Sequence, residues 1–209
     1  MNHSDSSDKS DRSDGSGEPG HPRVILPHGG YRKLRSFQVA QVIYDATVVF
    51  CDRFVDKRSR THDQMVQAAR SGVQNIAEGS MASATSKKSE LKLTGVARAS
   101  LEELLLDYED FLRQRGLRLW RKDSPEALEV RGRYQSDNSD PSDRSDSSDP
   151  YSIATASPEV AANTLICLIN QASYLLGRQL QKLEQDFLKN GGVAERMYQA
   201  RRQTRGDSW

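Results

Sequence analysis

Cysteine, histidine and tryptophan are all scarce in this chain: two, four and two among 209 residues. The two cysteines, Cys51 and Cys167, sit far apart in strongly apolar helical patterns, with no Cys-X-X-Cys spacing. That pattern excludes a disulfide scaffold and points to two small core thiols in the reducing cytoplasm. Of the histidines only His62 falls in a helical segment, and no Glu stands three residues before it. A di-metal bundle, which needs inward Glu residues and Glu-X-X-His pairs, is therefore not expected. His62 reads as an exposed residue in the first turn of a helix. There is no Gly-rich phosphate loop and no Gly-X-Ser-X-Gly elbow, so no catalytic, metal or cofactor-binding residue emerges and an enzyme is not expected. No run approaches the roughly twenty apolar residues of a membrane span, and the polar N-terminus carries no secretory signal. The expectation is a soluble, cytoplasmic protein with no membrane partner.

Apolar residues are also sparse, at 35% against 28% charged, with a mean hydropathy of −0.75. So polar a chain does not pack into one globule throughout. The polar excess is concentrated in two Ser-Asp-X repeats, over residues 4–14 and 136–149, which hold almost no apolar side chain to offset the entropy of ordering. The segments 1–30 and 132–150 together carry 5 Lys/Arg against 10 Asp/Glu, whereas the remainder carries 25 against 19. The near-neutral total of +1 thus hides a mildly basic folded part, which permits a nucleic-acid partner without requiring one.

Between the repeats the apolar residues recur at helical spacing. A first helix is expected from about Leu34 to Val55, apolar over so much of its circumference that several neighbours, and another subunit, are implied. A second is expected from Thr61 at the N-cap, with Gln64 three residues on, to a stop at Gly79; its stripe is Met65, Ala69, Val73 and Ile76. Ser86 caps a third, running to Arg115 and stopped by Gly116. Ser124-Pro125-Glu126 opens a short helix that ends near Gly132. Ser157-Pro158-Glu159 opens a long fourth helix that ends at Asn190-Gly191-Gly192. The expected organisation is a disordered acidic tail (1–28), helices one to three with the short helix (29–132), a disordered Ser-Asp linker (133–156), the fourth helix (157–190) and a basic tail (191–209). The fold class is all-α, an antiparallel up-and-down four-helix bundle interrupted by the acidic repeat.

Two sets of polar residues are candidates for function. Arg70, Gln74 and Glu78 fall on one edge of the second helix with Asn75 beside them, a spacing that allows a linked hydrogen-bond array. Such an array serves either as a buried network fixing helix register or subunit contacts, or as a contact for RNA or protein. The second set is basic: Arg32, Lys33 and Arg35 before the first helix, Lys87, Lys88 and Lys92 opening the third, and Arg201 and Arg202 in the C-terminal tail. Tyr31, Tyr44, Tyr108 and Tyr174 fit helix faces better than base-stacking platforms. Binding would therefore follow phosphate charge and nucleic-acid shape more than base sequence.

Gln64 through Gly79, closing on Asn75-Ile76-Ala77-Glu78-Gly79 and followed by Ser86-Lys87-Lys88-Ser89-Glu90-Leu91, resembles the bacterial four-helix-bundle proteins encoded in intervening sequences of 23S rRNA. That family includes the accessory variability protein of diversity-generating retroelements. Gly29-Gly30-Tyr31-Arg32-Lys33-Leu34-Arg35-Ser36-Phe37 looks like its variant with a four-helix-bundle suffix domain. The resemblance covers roughly Gly29 to Gln114, and Pro158 to Arg202 in general character. It implies a homo-oligomer, pentameric in the retroelement proteins, that binds nucleic acid together with a reverse transcriptase or a ribosomal component. The expected function is that of a non-enzymatic accessory protein binding structured RNA or DNA; the alternative is a protein-protein scaffold with no nucleic acid.

Overall fold

The computed structural model describes residues 30–136 and 149–206, with side chains over 30–133 and 149–202. The acidic tail expected over 1–28 and the repeat from 137 to 148 lie outside the described residues. A 3-10 turn over Gly30–Lys33 leads into six helices: α1 (Arg35–Phe54), α2 (Arg60–Ala82), α3 (Lys87–Gln114), α4 (Pro125–Ser136), α5 (Pro158–Asn190) and α6 (Val193–Gly206). No strand is present among the described residues, so the protein is all-α, with α1 to α5 packed together.

Local signals set several helix ends where the sequence places them. Ser86 accepts a hydrogen bond from the Ser89 N–H at 3.1 Å to start α3, and Ser157 accepts one from Val160 to start α5, with Pro158 next. Gly116 and Gly191 end α3 and α5 in the left-handed region, at φ 63° each. Two expected ends are corrected. The cap of α2 is Ser59, not Thr61; its hydroxyl accepts from the Thr61 N–H. Gly79 is no terminus either, because α2 runs on to Ala82 with Gly79 buried inside it. A Cβ there would stand 3.4 Å from Leu93 Cβ and 3.5 Å from the Glu90 carbonyl oxygen, so this glycine lets α3 come close.

The packing pairs are α1 with α2, α2 with α3, α3 with α5, and α5 with α1; α4 lies on α5, and the 3-10 turn lies on α1 and α2. Contacts along each pair fix its direction. Gly72 meets Leu101 while Gly79 meets Leu93, so α2 and α3 are antiparallel. Ser36 bonds Gln179 at one end of the α1/α5 pair, and Arg53 bonds the Ile153 and Ala156 carbonyls ahead of α5 at the other. On α3 and just beyond it, Arg98 lies beside Gly177 and Trp120 bonds Asn163. The start of α1, the turn from α2 to α3 and the end of α5 consequently share one end of the fold.

One continuous core runs through these helices, from Phe37, Ile43 and Phe50 of α1 to Leu165, Ile169 and Leu176 of α5. Phe50 is its aromatic centre, edge-on to Phe54, Tyr108 and Phe111 at 4.8 to 5.2 Å. The wide apolar surface of α1 is largely covered inside the chain, since Val42, Tyr44 and Val49 pack partly buried against the same core. That coverage removes the reason for inferring a second subunit from α1.

Both flanks of the linker expected over 133–156 are structured. α4 continues through Gly132 to Ser136, and the turn before α5 buries Tyr151 and Ile153. Asp149 holds this turn by accepting the Ile153 and Ala154 N–H groups at 2.8 and 2.7 Å. The expectation that no run approaches a membrane span is also too strong. Within Pro158–Arg202 one window reaches the required length and apolarity, with mean hydropathy 1.3, and 61% of it is buried. With α1, α3 and α4 packed on α5, its first half is largely buried, without a break from Ala161 to Ile166, polar Asn163 and Thr164 included.

Candidate nucleic-acid interface

The antiparallel order gathers most of the basic candidates at one end, although they come from separate stretches of sequence. Arg32 and Lys33 are exposed on the 3-10 turn, with the Arg32 guanidinium 5.4 Å from the centre of the Tyr31 ring. Gln38 steadies that turn by donating to the Arg32 carbonyl at 3.0 Å. Arg35, half-buried at the start of α1, reaches Gln38 Oε1 at 3.5 Å. Lys88 and Lys92 are both exposed, one turn apart on α3. Arg201 and Arg202 are exposed on α6.

Lys87 does not join this surface. Its ammonium lies 2.7 Å from Glu90 Oε2, with the two side chains only 19% and 10% exposed. A pair so shielded from water neutralises the lysine's charge locally, and breaking it to reach a phosphate would leave Glu90 buried without a partner. Lys87 is thus corrected from a phosphate contact to an anchor of the α2-α3 turn.

A group of positive charges lies where α1 and α5 meet. An open cleft of about 880 Å³ runs between them, and Arg35, Arg178 and Lys182 line it against one carboxylate, Asp186. Ser36 Oγ donates to Gln179 Oε1 at 2.9 Å and ties the two walls together. Arg178 is aimed by its contact with the Tyr174 hydroxyl at 3.2 Å. Leu34 and Leu175 supply apolar surface beside these groups. Chemically, the cleft offers guanidinium and ammonium donors and side-chain amides to an anion. Arg178 and Lys182 are functional candidates that the sequence reading missed. Their spacing of four residues was visible, but its value depends on Arg35 coming from a distant helix.

A second open cleft, about 460 Å³ between α2 and α3, sets Arg60 against Asp63 and Glu103 and so does not suit a polyanion. The expected array on α2 is also corrected. Arg70, Gln74 and Glu78 are exposed and do not bond one another. Only Asn75 is half-buried, donating to Ser71 O and Oγ at 2.9 and 3.1 Å, while Ser71 and Ser100 share a hydrogen bond of 2.9 Å between α2 and α3. The network that fixes helix contacts is therefore Asn75-Ser71-Ser100. The other three residues point to water because the core stripe occupies the opposite side of α2.

Among the described residues no group of three or more His, Cys, Asp or Glu side chains is placed to hold a metal ion. Burial pushes the Cys167 thiol up, with Arg131 opposing, and pushes Cys51 up to about 12. Neither thiol has the depressed pKa of a nucleophile. Compared with known proteins, the chain matches no protein family, no curated protein and no solved structure.

Proposed function

We propose that this chain is a non-enzymatic, cytoplasmic accessory protein that binds structured nucleic acid through the basic end of its fold. In this reading α1, α2, α3 and α5 form an up-and-down four-helix bundle, α4 is an addition on α5, and the protein works as a homo-oligomer. The observation that carries the proposal is the convergence of Arg35, Arg178 and Lys182 on one open cleft, with Arg32, Lys33, Lys88 and Lys92 exposed at the same end. Oxygen-rich phosphates match such a lining, and Arg suits them through its paired donors. Repetition of the surface around an oligomer multiplies a modest affinity.

The resemblance of Gln64 to Gly79 and of the Gly29 to Phe37 opening to the rRNA intervening-sequence and retroelement accessory proteins supports the same reading. It names a reverse transcriptase or a ribosomal component as the protein partner. The test is binding of a structured RNA and a duplex DNA by the full chain across a salt series. Three phosphates neutralised per chain predict a slope of log affinity against log salt of about −2.7 or steeper on duplex DNA.

A protein scaffold is the second reading, and the exposed edge of α2 favours it. If the intact chain binds no nucleic acid at low salt, that edge becomes the functional surface.

A further inference from the structure

One stripe of α2 stays uncovered along most of the helix: Asp63, Gln67, Arg70, Gln74, Glu78 and Met81 are all exposed. Arg70, Gln74 and Glu78 make no hydrogen bond or ion pair with any described residue. Two opposite charges and an amide aligned on one edge, with no partner among the described residues, form a surface open to a complement.

The order of these residues defines the complement. Gln74 is central, with Arg70 one turn before it and Glu78 one turn after, about 6 Å to either side along the axis. Turning the stripe end for end exchanges its positive and negative ends and leaves Gln74 in place. A second α2 laid antiparallel on the first then sets Arg70 against Glu78 of the other copy, twice, and the two Gln74 amides face each other. An amide both donates and accepts, so it pairs with itself across such an axis. Ser71 and Ala77, three residues to either side, are small and half-buried, which allows the two helices to approach.

We propose that the exposed edge of α2 is a two-fold, antiparallel docking surface for a second copy of this chain. The contact is isologous: each copy presents the same patch, and the patch is its own complement. An in-register parallel contact would instead place Arg70 on Arg70 and Glu78 on Glu78. The inference rests only on the homo-oligomer part of the proposed function, is independent of nucleic-acid binding, and departs from the five-membered ring of the retroelement proteins, which a two-fold contact does not close.

Disulfide trapping of Gln74→Cys in the full chain, beside Gln67→Cys, tests it: the antiparallel contact brings position 74 but not position 67 next to itself, whereas an in-register parallel contact brings both. Mild oxidation is expected to convert this variant to a covalent dimer. Wild type, whose Cys51 is buried and Cys167 half-buried, and Gln67→Cys, whose copies would lie about 21 Å apart along the axis, are expected not to link. Arg70→Glu and Glu78→Arg should each raise the dimer dissociation constant at least about tenfold, and the double exchange should restore it to within about threefold of wild type. Circular dichroism establishes that each variant is folded. No covalent dimer from Gln74→Cys, in a sample with the mass of an oligomer, overturns the α2 surface and leaves the oligomer reading standing. A monomer at every concentration overturns both.

Discussion

The Tyr108 hydroxyl donates to Thr47 Oγ1 at 3.0 Å, and neither side chain reaches solvent. This bond ties α3 to α1 through the centre of the core, with the Phe50 ring 4.9 Å from the Tyr108 ring beside it. Thr47→Val keeps the shape and strands the tyrosine hydroxyl, which should cost about 1–3 kcal/mol in chemical denaturation. Adding Tyr108→Phe to that variant removes the stranded group and should recover part of the loss. Equal stability of Thr47→Val and wild type would contradict the bond.

Close approach of α2 and α3 makes a second prediction. A Cβ on Gly72 would lie 2.9 Å from Leu101 Cδ2 and 3.1 Å from its Cγ, and Leu101 is fully buried. Gly72→Ala should therefore lose about 1–3 kcal/mol to overpacking, partly offset by about 1 kcal/mol of helix propensity. Gly95→Ala, with nothing within 4 Å of the new methyl, should keep the propensity gain alone. Opposite shifts of the denaturation midpoint are expected, and a stabilised Gly72→Ala would contradict the packing.

Helix starts at Ser86 and Ser157 were legible because a cap is a local device, written within three or four residues of its helix. Gly79 misled for the converse reason: a glycine admitting a neighbouring helix looks in sequence like a glycine ending its own. Arg70, Gln74 and Glu78 were placed on the correct edge by their spacing, but spacing alone does not say whether an edge faces core or water. The Lys87-Glu90 pair could have been read at its i,i+3 step; its burial could not. The α1/α5 cleft was not legible, since Arg35 and Arg178 become neighbours only through the antiparallel order of the helices.

Asn163 shows the same limit. It is buried at the start of α5, accepts the Trp120 N–H at 2.7 Å and donates to the Arg118 and Glu159 carbonyls, each at 2.8 Å. No sequence pattern links it to a loop more than forty residues earlier. Asn163→Ala should remove the side-chain partner of the Trp120 N–H and the Arg118 carbonyl, cost about 1–3 kcal/mol, and speed amide exchange of Trp120 before the rest of the fold. Unchanged exchange at Trp120 would contradict the clamp.

The thiol of Cys51 predicts the alkaline limit of stability. Burial, with the Asp52 and Asp107 carboxylates adding to it, pushes the thiol from its ordinary 9.0 up to about 12. The folded chain thus keeps a proton that the unfolded chain releases. Stability from the neutral thiol is fully present below pH 9.0 and is lost as the pH climbs through that value towards about 12. Burial also raises Tyr108, which acts in the same direction. Denaturation midpoints should fall across this window, and Cys51→Ala should flatten the fall by the share of one proton. An identical slope in Cys51→Ala would show the thiol to be solvated.

The most direct measurement for the nucleic-acid reading compares two charge reversals by RNA binding at low salt. Arg178→Glu with Lys182→Glu reverses the cleft, and Arg121→Glu with Lys122→Glu reverses two exposed cations beyond α3, at the opposite end. The cleft variant should bind at least about tenfold more weakly, with a shallower salt dependence, while the other keeps wild-type affinity. Equal losses in the two variants, or no binding by the intact wild-type protein, would contradict the assignment of the α1/α5 cleft as the nucleic-acid surface.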